Sequence, residues 1–230
     1  KLIWKDTLTQ NAKQQKINIQ ITAEGTDVKG KNWEYGIEFN YGNKELSYCK
    51  PLDIEKTIPQ EAFSVFHLPP LSGVQTLEKQ IQLGAQLHSI GEGRPGEILR
   101  NLLLEVKEKG KWEELADLIK NLFHVRLEPI NFNKNTDAFI LVHYRHESWS
   151  KSRNKSLLEI SNAGSGFLQF LLLSAFMYVH ENSILLLDEP DSHMHVRLQR
   201  GMYDWLQKKA AESNIQLIIS THSEIIINST

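Results

Sequence analysis

Apolar and polar side chains alternate from Trp33 to Tyr41, which is the pattern of a half-buried β-strand. Large apolar residues occupy every second position of one stretch: Trp33, Tyr35, Ile37, Phe39 and Tyr41. A period of two places them on one face of a strand. We expect antiparallel strands over residues 16 to 49, with one packed face and one partly wet face. A further strand from Ala62 to Leu68 is expected to end at Pro69-Pro70.

Apolar residues then recur at helical spacing in two successive segments. They are Leu99, Leu102, Leu103 and Val106 in the first segment, and Trp112, Leu115, Ile119 and Leu122 in the second. Pro95 is well placed for the start of the first helix, and Gly110 for its end. The pattern predicts a pair of amphipathic helices.

The last third of the chain has the pattern of a parallel sheet whose strands are joined by helices. A Gly-rich turn leads into an apolar helix that begins near Phe167, and a buried strand follows from Ser183 to Leu187. An amphipathic helix near Val196 to Ser213 leads to a second buried strand, Ile215 to Ser220. Two apolar strands with a helical crossover form a βαβ unit. The apolar run that ends at Val179 is too short to cross a bilayer.

Composition narrows the range of functions. Of the 230 residues, 40% are hydrophobic and 23% are charged, as in ordinary globular proteins. The formal net charge of −2 excludes a global positive field that would attract nucleic acid or an anionic membrane. A local cluster of Arg145, Lys151, Arg153 and Lys155 can contact a nucleic-acid backbone, although a solvated loop is the simpler explanation. The single cysteine, Cys49, excludes a disulfide framework and favours a reducing cytoplasm.

Two adjacent carboxylates, Asp188 and Glu189, follow the apolar strand Ser183 to Leu187. Open α/β sheets bind their ligands at this end of the strands. Asp188 can hold Mg²⁺, directly or through water, because the ion prefers hard oxygen ligands. Glu189 can polarise a water molecule that attacks a γ-phosphate. The alternative is an acidic cap on the helix that follows the strand.

Two more elements carry groups that can contact a phosphate. His222 follows the strand that ends at Ser220, so its imidazole can hydrogen-bond a γ-phosphate or the attacking water. The turn formed by Gly164, Ser165 and Gly166 opens a helix, whose N–H groups and serine hydroxyl favour an anion. A structural histidine and a tight strand-to-helix turn are the plainer explanations when each element is considered alone.

Taken together and in this order, the three elements resemble the ABC ATPase set of signature loop, Walker B, D-loop and switch histidine. The stretch Leu187-Asp188-Glu189-Pro190-Asp191-Ser192-His193 is similar to the Walker B and D-loop of the RecF, SMC and OLD-like branch. Thr221-His222-Ser223 is similar to the switch of that branch. The segments Phe66 to Gly73 and Gly96 to Leu103 look like parts of the regulatory arm of AAA family ATPases related to OLD-family proteins.

This resemblance implies a homodimer that sandwiches ATP and Mg²⁺ between two protomers. The signature residues of one protomer would complete the site of the other. The implied assignments are Gly164, Ser165 and Gly166 for the signature contact, Asp188 for Mg²⁺, Glu189 for the attacking water, His222 for the γ-phosphate, and Ser192 or His193 for the dimer seam. Ser161 stays open as an alternative to Ser165 for the phosphate contact.

The sequence departs from the family at the phosphate-binding P-loop, because no Gly-x-x-x-x-Gly-Lys-Ser/Thr occurs in it. The resemblance places that loop before the first helix, and Leu2-Ile3-Trp4 is similar to sequence just beyond that helix. We therefore expect a truncated ATPase that is inactive alone. Gln75 is a candidate for the glutamine that senses Mg²⁺ in such heads. Asp191, His193 and His195 can also be interpreted as a small metal site.

The expected fold is α/β: a P-loop NTPase-like (ABC ATPase) parallel sheet with an N-terminal antiparallel β-subdomain and a helical arm. The expected boundaries are 1–70 for the β-subdomain, 71–135 for the arm and 136–230 for the C-terminal ATPase lobe. The implied function is ATP hydrolysis as a switch or motor in DNA repair, genome maintenance or phage defence. DNA and a fused or separate nuclease are the implied partners. The alternatives are a non-catalytic interaction domain and the nucleotide-binding subunit of a transporter.

Overall fold

The computed structural model describes residues 18–26, 30–43, 46–52, 64–146 and 157–228. The chain divides into two compact units, Lys1–Ala62 and Phe63–Thr230. Within the described ranges, every helix is too short or too polar to span a lipid bilayer. Four features singled out in the sequence lie outside these ranges: Leu2-Ile3-Trp4, Lys151, Arg153 and Lys155.

The first unit contains a three-stranded antiparallel sheet. Its strands, in spatial order, are β1 (Asn18–Thr26), β2 (Asn32–Asn43) and β3 (Leu46–Pro51). This sheet confirms the antiparallel strands that the period-two pattern predicts. The expected contrast between an apolar packed face and a wet polar face is wrong at the centre of β2, where Glu38 is buried and Tyr35 is exposed. The reason is a set of partners from neighbouring positions, Gln20, Asn40 and Lys50, which lower the pKa of Glu38 to about 2.

The second unit contains six strands and six α-helices among its described residues. The strands are β4 (Ser64–Leu68), β5 (Val125–Leu127), β6 (His143–His146), β7 (Leu158–Glu159), β8 (Ser183–Asp188) and β9 (Gln216–Ser220). The helices are α1 (Leu83–Gly91), α2 (Leu99–Glu108), α3 (Trp112–Phe123), α4 (Ser165–Val179), α5 (Val196–Glu212) and α6 (Glu224–Ile227). The two amphipathic helices predicted from apolar spacing are therefore confirmed as α2 and α3.

A parallel sheet with the order β4, β8, β9 forms the centre of this unit, and β5, β6 and β7 form a small antiparallel sheet. β8, α5 and β9 are the predicted βαβ unit. The predicted boundary at residue 70 grouped β4 with the antiparallel strands, but β4 pairs in parallel with β8. Its position is fixed by packing, because the ring of Phe66 meets that of Phe176 in α4 edge-on, with centroids 5.1 Å apart. The three-part division of the chain stays a prediction.

The two faces of the parallel sheet differ in burial. Leu185 and Leu187 point to one face and are buried in the core. The apolar residues on the opposite face are partly or largely exposed. We call the second face the open face, and its apolar residues are Val65, Ile184, Leu186 and Ile218. Val65 is 51% exposed and Ile218 is 55% exposed. The prediction that the last strand is buried is therefore wrong for one of its faces.

Helix α4 lies in the core of the second unit. Its residues from Gly166 to Val179 are all buried, as the continuous apolar run predicts for a helix that is hydrophobic on every side. Helices α2, α3 and α5 pack against it. The helix begins at Ser165, two residues before the predicted start. This arrangement places the Gly-rich turn at the N-terminus of a helix that is buried on every side.

Candidate functional site

The carboxyl ends of β8 and β9 place the predicted catalytic residues beside each other. Asp188 ends β8 and pairs in register with Ser220, which ends β9. The Ser220 hydroxyl donates to Oδ1 of Asp188 at 2.6 Å, and the Glu189 N–H donates to the Ser220 carbonyl at 2.9 Å. The carboxylate of Asp188 and the backbone of Glu189 are thus anchored to the neighbouring strand, at the edge where parallel sheets bind ligands.

His222 lies at the same edge, two residues beyond β9. Its Nε2 is 3.4 Å from Oε1 of Glu189, with the imidazole 96% exposed and the carboxylate 28% exposed. The expected proximity of the histidine and the carboxylates is therefore found. An exposed imidazole beside an accessible carboxylate can contact a polar ligand and its attacking water together. The roles of these residues in catalysis stay predictions.

The turn after β8 contains two residues in the left-handed backbone conformation. Glu189 has a φ of 48° and His193 has a φ of 62°. Such a conformation costs a non-glycine residue roughly 1–2 kcal/mol. The turn is held by backbone hydrogen bonds from Ser192 to Glu189 and from Met194 to Asp191, at 2.9 and 3.0 Å. The strained Glu189 is therefore supported by the structure around it.

The alternative metal site at Asp191, His193 and His195 is wrong. The Asp191 carboxylate accepts a 2.6 Å hydrogen bond from the hydroxyl of Thr221. Nδ1 of His195 accepts from the backbone N–H of Arg197 at 3.3 Å and so caps α5. In the part of the chain that the structure describes, no three histidine, cysteine or acidic side chains are grouped to hold a metal.

The donors at Asp188 nevertheless fit Mg²⁺ in the presence of a phosphate ligand. Asp188 uses one carboxylate oxygen for Ser220, so its second oxygen is available to an ion or to its water. Mg²⁺ is commonly held by one or two carboxylates together with waters and substrate phosphates. A single protein carboxylate with a hydroxyl neighbour matches that chemistry better than it matches a zinc or calcium site.

The residues from Ile160 to Gly166, which we call the signature turn after the family element that they resemble, lead into α4 and are anchored at Ser161. A short 3-10 helix, Ile160–Asn162, begins the turn, and Gly164 is the N-cap of α4. The N–H of Ser161 donates to Glu159 at 2.7 Å, and its hydroxyl donates to the same oxygen. The Ser165 side chain is exposed at the helix N-terminus. This arrangement favours Ser165 over Ser161 for an anion contact.

The signature turn contacts the residues from Asp191 to Met194, which we call the D-loop stretch after the family element that they resemble. A Cβ on Gly166 would lie 2.5 Å from the carbonyl oxygen of His193 and 3.2 Å from Cα of Met194. Only glycine therefore fits here without a shift of the backbone. Ser192 lies in the same stretch, and its buried hydroxyl has no hydrogen-bond partner among the described residues.

The anchoring roles of several residues that shape the site were missed from the sequence. Ser220 and Thr221 anchor Asp188 and Asp191, and Gln169 in α4 accepts a hydrogen bond from the Leu71 N–H at 2.7 Å. The signal for Ser220 was available, because the two strands of a βαβ unit run parallel and so have their carboxyl ends at the same edge of the sheet. Gln169 gave no comparable signal, since its partner is 98 residues away.

Two weaker candidates from the sequence, Gln75 and Arg145, have contacts in other parts of the chain. Gln75 is exposed in the segment after β4, and its backbone carbonyl accepts from Arg100 at 2.8 Å. Its role as a Mg²⁺ sensor stays a prediction. Arg145, the described member of the basic cluster, pairs with Glu128 at 2.6 Å. That pairing favours a structural role for Arg145.

Comparison with known proteins identifies the type of domain. A family model described as "AAA domain, putative AbiEii toxin, Type IV TA system" matches residues 2–228. Among curated proteins, no sequence matches the chain.

Two solved structures resemble the chain over 93% of its length. An Smc head bound to the C-winged helix domain of ScpA has a TM-score of 0.53, 8% identity and 69% of its own chain covered. An Smc head with an extended coiled coil from Pyrococcus furiosus, bound to the C-terminal domain of ScpA, has a TM-score of 0.50, 11% identity and 72% of its chain covered. At these identities the likeness concerns the fold alone.

Proposed function

Because the chain belongs to the AAA-domain family whose model spans residues 2–228, we propose that the carboxyl edge of its parallel sheet is half of an ATP site. The observation that carries the proposal is the meeting of Asp188, Glu189 and His222 at the ends of two adjacent parallel strands. In this site Glu189 orients the attacking water, and His222 contacts the γ-phosphate. Asp188 would hold Mg²⁺ with the carboxylate oxygen that is not bonded to Ser220.

The geometry supports these assignments in physical terms. Bound Mg²⁺ supplies positive charge that stabilises the phosphoryl group during transfer. The backbone of Glu189 is held by its hydrogen bond to Ser220, so its side chain extends from a fixed position at the sheet edge. His222 is within 3.4 Å of that carboxylate, so one water molecule can contact both side chains.

The other half of the site is proposed to come from a second copy of the chain. Gly164, Ser165 and Gly166 open α4 with an exposed hydroxyl and N–H groups at a helix N-terminus, which favour an anion. Ser192 and His193 lie at the seam of this dimer. Gly166 contacts His193, so the turn that opens α4 and the residues after β8 lie side by side. This supports the proposal that both face the same partner protomer.

A P-loop is required for this function and is not among the 230 residues. We propose that a segment carrying it covers the open face of the sheet. The exposed apolar residues Val65 and Ile218 support this, because parallel sheets are normally covered on both faces. The chain without that segment is expected to be inactive.

The biological role follows from the family resemblance rather than from the site. We propose that ATP-driven closure of the dimer acts as a switch or motor in DNA repair, genome maintenance or phage defence, with DNA as a partner and a nuclease as a gated activity. A non-catalytic interaction domain is the second candidate. The missing P-loop sequence is the observation that favours it.

The test is ATP turnover by the full natural protein that contains these residues, with and without duplex DNA. Glu189→Gln should bind ATP but lower kcat by about 10²–10⁴-fold, because the water loses its base. His222→Ala should lower kcat without loss of stability, since its side chain is 96% exposed. Glu181→Gln, an exposed glutamate just before β8, is the matched control and should behave like the unsubstituted protein. Absence of ATP binding by the unsubstituted protein would refute the proposal and leave the interaction domain.

A further inference from the structure

Arg100 in α2 is the largest of the fully buried side chains in the described part of the chain. A buried guanidinium is costly unless acceptors surround it. Its Nε and Nη2 lie 2.9 and 2.8 Å from Oε1 of Glu159, and its Nη1 donates to the Gln75 carbonyl at 2.8 Å. Arg100 therefore connects the segment after β4 with the residue that precedes the signature turn.

Glu159 uses its two carboxylate oxygens for two different purposes. Oε1 faces Arg100, whereas Oε2 accepts from the N–H and the hydroxyl of Ser161. Burial by itself raises the pKa of Glu159, but the hydrogen bonds from Ser161 and Arg100 outweigh it and keep the pKa below its ordinary value. The carboxylate is thus a rigid link between the buried cation and the first residues of the turn.

A second buried carboxylate, Glu78, lies on the other side of Arg100. It accepts from the backbone N–H groups of Arg100 and Asn101 at 2.8 and 2.7 Å, and the nearest guanidinium nitrogen is 3.5 Å away. Burial raises the pKa of Glu78, although the hydrogen bonds from Arg100 and Asn101 oppose this. The shorter contacts of the guanidinium are with Glu159, so Arg100 is directed mainly toward the signature turn.

We propose that Arg100 is a positioning residue for the signature turn and acts through the carboxylate of Glu159. The proposal rests on the proposed ATPase function, in which Ser165 of one protomer contacts the phosphate bound by the other. A buried ion pair adds little net stability compared with apolar residues of similar size. What it can supply is a defined geometry, here from the segment after β4, through Glu159, to Ser161.

A second contact supports this connection independently. Gln169 lies one turn into α4 and accepts a hydrogen bond from the Leu71 N–H at 2.7 Å in a buried position. The segment that follows β4 is therefore joined directly to α4 by Gln169. It is joined to the signature turn through Arg100 and Glu159. If that segment moves at the carboxyl edge of the parallel sheet, both contacts would move the start of α4, where Ser165 lies.

The decisive variant is Glu159→Gln in the full natural protein. Arg100 and Ser161 face different oxygens of Glu159, and a glutamine places an NH₂ donor at one of these two positions, so it loses the acceptor on that side. We expect the Ser161 amide to exchange with solvent roughly tenfold faster, because a charge-assisted hydrogen bond is lost or weakened. We also expect kcat to fall on the order of tenfold to a hundredfold while the ATP affinity of the monomer is retained. Arg100→Lys should act in the same direction, since lysine lacks the fork that holds Oε1.

Asn101→Ala is the matched control. Asn101 is the next residue of α2, is buried, and bonds to Glu78, the Lys79 carbonyl and the Ile81 N–H, none of which belongs to the turn. It should lower the thermal midpoint yet leave the Ser161 exchange rate and kcat near those of the unsubstituted protein.

Each outcome decides between a positioning role and a merely structural one. The proposal is overturned if Glu159→Gln changes neither Ser161 exchange nor kcat, if exchange changes without kcat, or if Asn101→Ala reproduces both effects. If the unsubstituted protein has no ATP turnover, the proposed function fails. The exchange comparison still decides in that case whether Arg100 and Glu159 hold the turn.

Discussion

Gly166 lies directly against the carbonyl oxygen of His193, leaving no room for a Cβ between them. The start of α4 and the turn after β8 are therefore in backbone contact within one protomer. Because backbone atoms cannot rotate away as a side chain does, this contact fixes the distance between the signature turn and the D-loop stretch.

Gly166→Ala should destabilise the protein. The added Cβ would be 2.5 Å from the His193 oxygen, and relief of such overpacking typically costs about 1–3 kcal/mol. That cost exceeds the roughly 0.5–1 kcal/mol that alanine gains over glycine in a helix. Urea unfolding measures the difference. Gly84→Ala is the control, since Gly84 is also the second residue of its helix but has open space around it. Equal stability of the two variants would contradict the close contact.

His180 should make the stability of the fold depend on pH. Its ring packs against those of Phe66 and Phe176, with centroids 4.6 and 4.3 Å away. Burial, with a smaller effect of Lys109, lowers its pKa from 6.5 to about 4. The unfolded chain binds a proton near pH 6.5, whereas the folded protein keeps the ring neutral to about pH 4. The free energy of unfolding is therefore highest above pH 6.5. It should fall by about 1–3 kcal/mol as the pH falls toward 4, a range that allows for the partial exposure of the ring.

Unfolding by urea at about pH 7.5 and about pH 4.5 tests this dependence. His180→Phe keeps an aromatic ring in the same place but cannot titrate. Its stability should fall less between the two pH values than that of the unsubstituted protein, and the carboxylates common to both proteins cancel in the comparison. Identical pH dependence of the two proteins would show that His180 is not held neutral.

Ser192 and Thr221 should differ in their effects on stability although both are hydroxyl residues of the site. The Ser192 hydroxyl has no partner among the described residues, so Ser192→Ala should leave the free energy of unfolding unchanged or raise it by up to about 1 kcal/mol. Thr221→Val removes a 2.6 Å hydrogen bond to the Asp191 carboxylate and should cost about 1.5–3 kcal/mol. Thermal or urea unfolding distinguishes them. A large loss from Ser192→Ala would mean that its hydroxyl is bonded in solution.

The sequence predicts local structure well where one period dominates. The apolar spacing of Leu99, Leu102 and Val106 predicts α2, and the adjacent carboxylates Asp188 and Glu189 mark the end of β8, because these signals lie within a few residues of one another. The proximity of Glu189 to His222 could also be predicted, since the βαβ connection brings the two strand ends together.

Contacts between distant segments could not be predicted in this way. Arg100 and Glu159 are 59 residues apart, and a charged residue in an amphipathic helix is normally expected on its wet face. The burial of Arg100 depends on the position of α2 against Glu159 and against the segment after β4, which no local pattern determines. The parallel pairing of β4 with β8 is missed for the same reason, because a short strand does not specify its partner.

The left-handed backbone of Glu189 has a consequence for directed evolution of this domain. Glycine or asparagine would occupy a φ of 48° at less conformational cost than glutamate. A random library selected only for heat resistance should therefore accumulate these two residues at position 189, and the selected clones would lose the carboxylate. A library selected for turnover would keep glutamate and find its stabilising changes elsewhere, as expected where activity and stability make opposite demands on one residue.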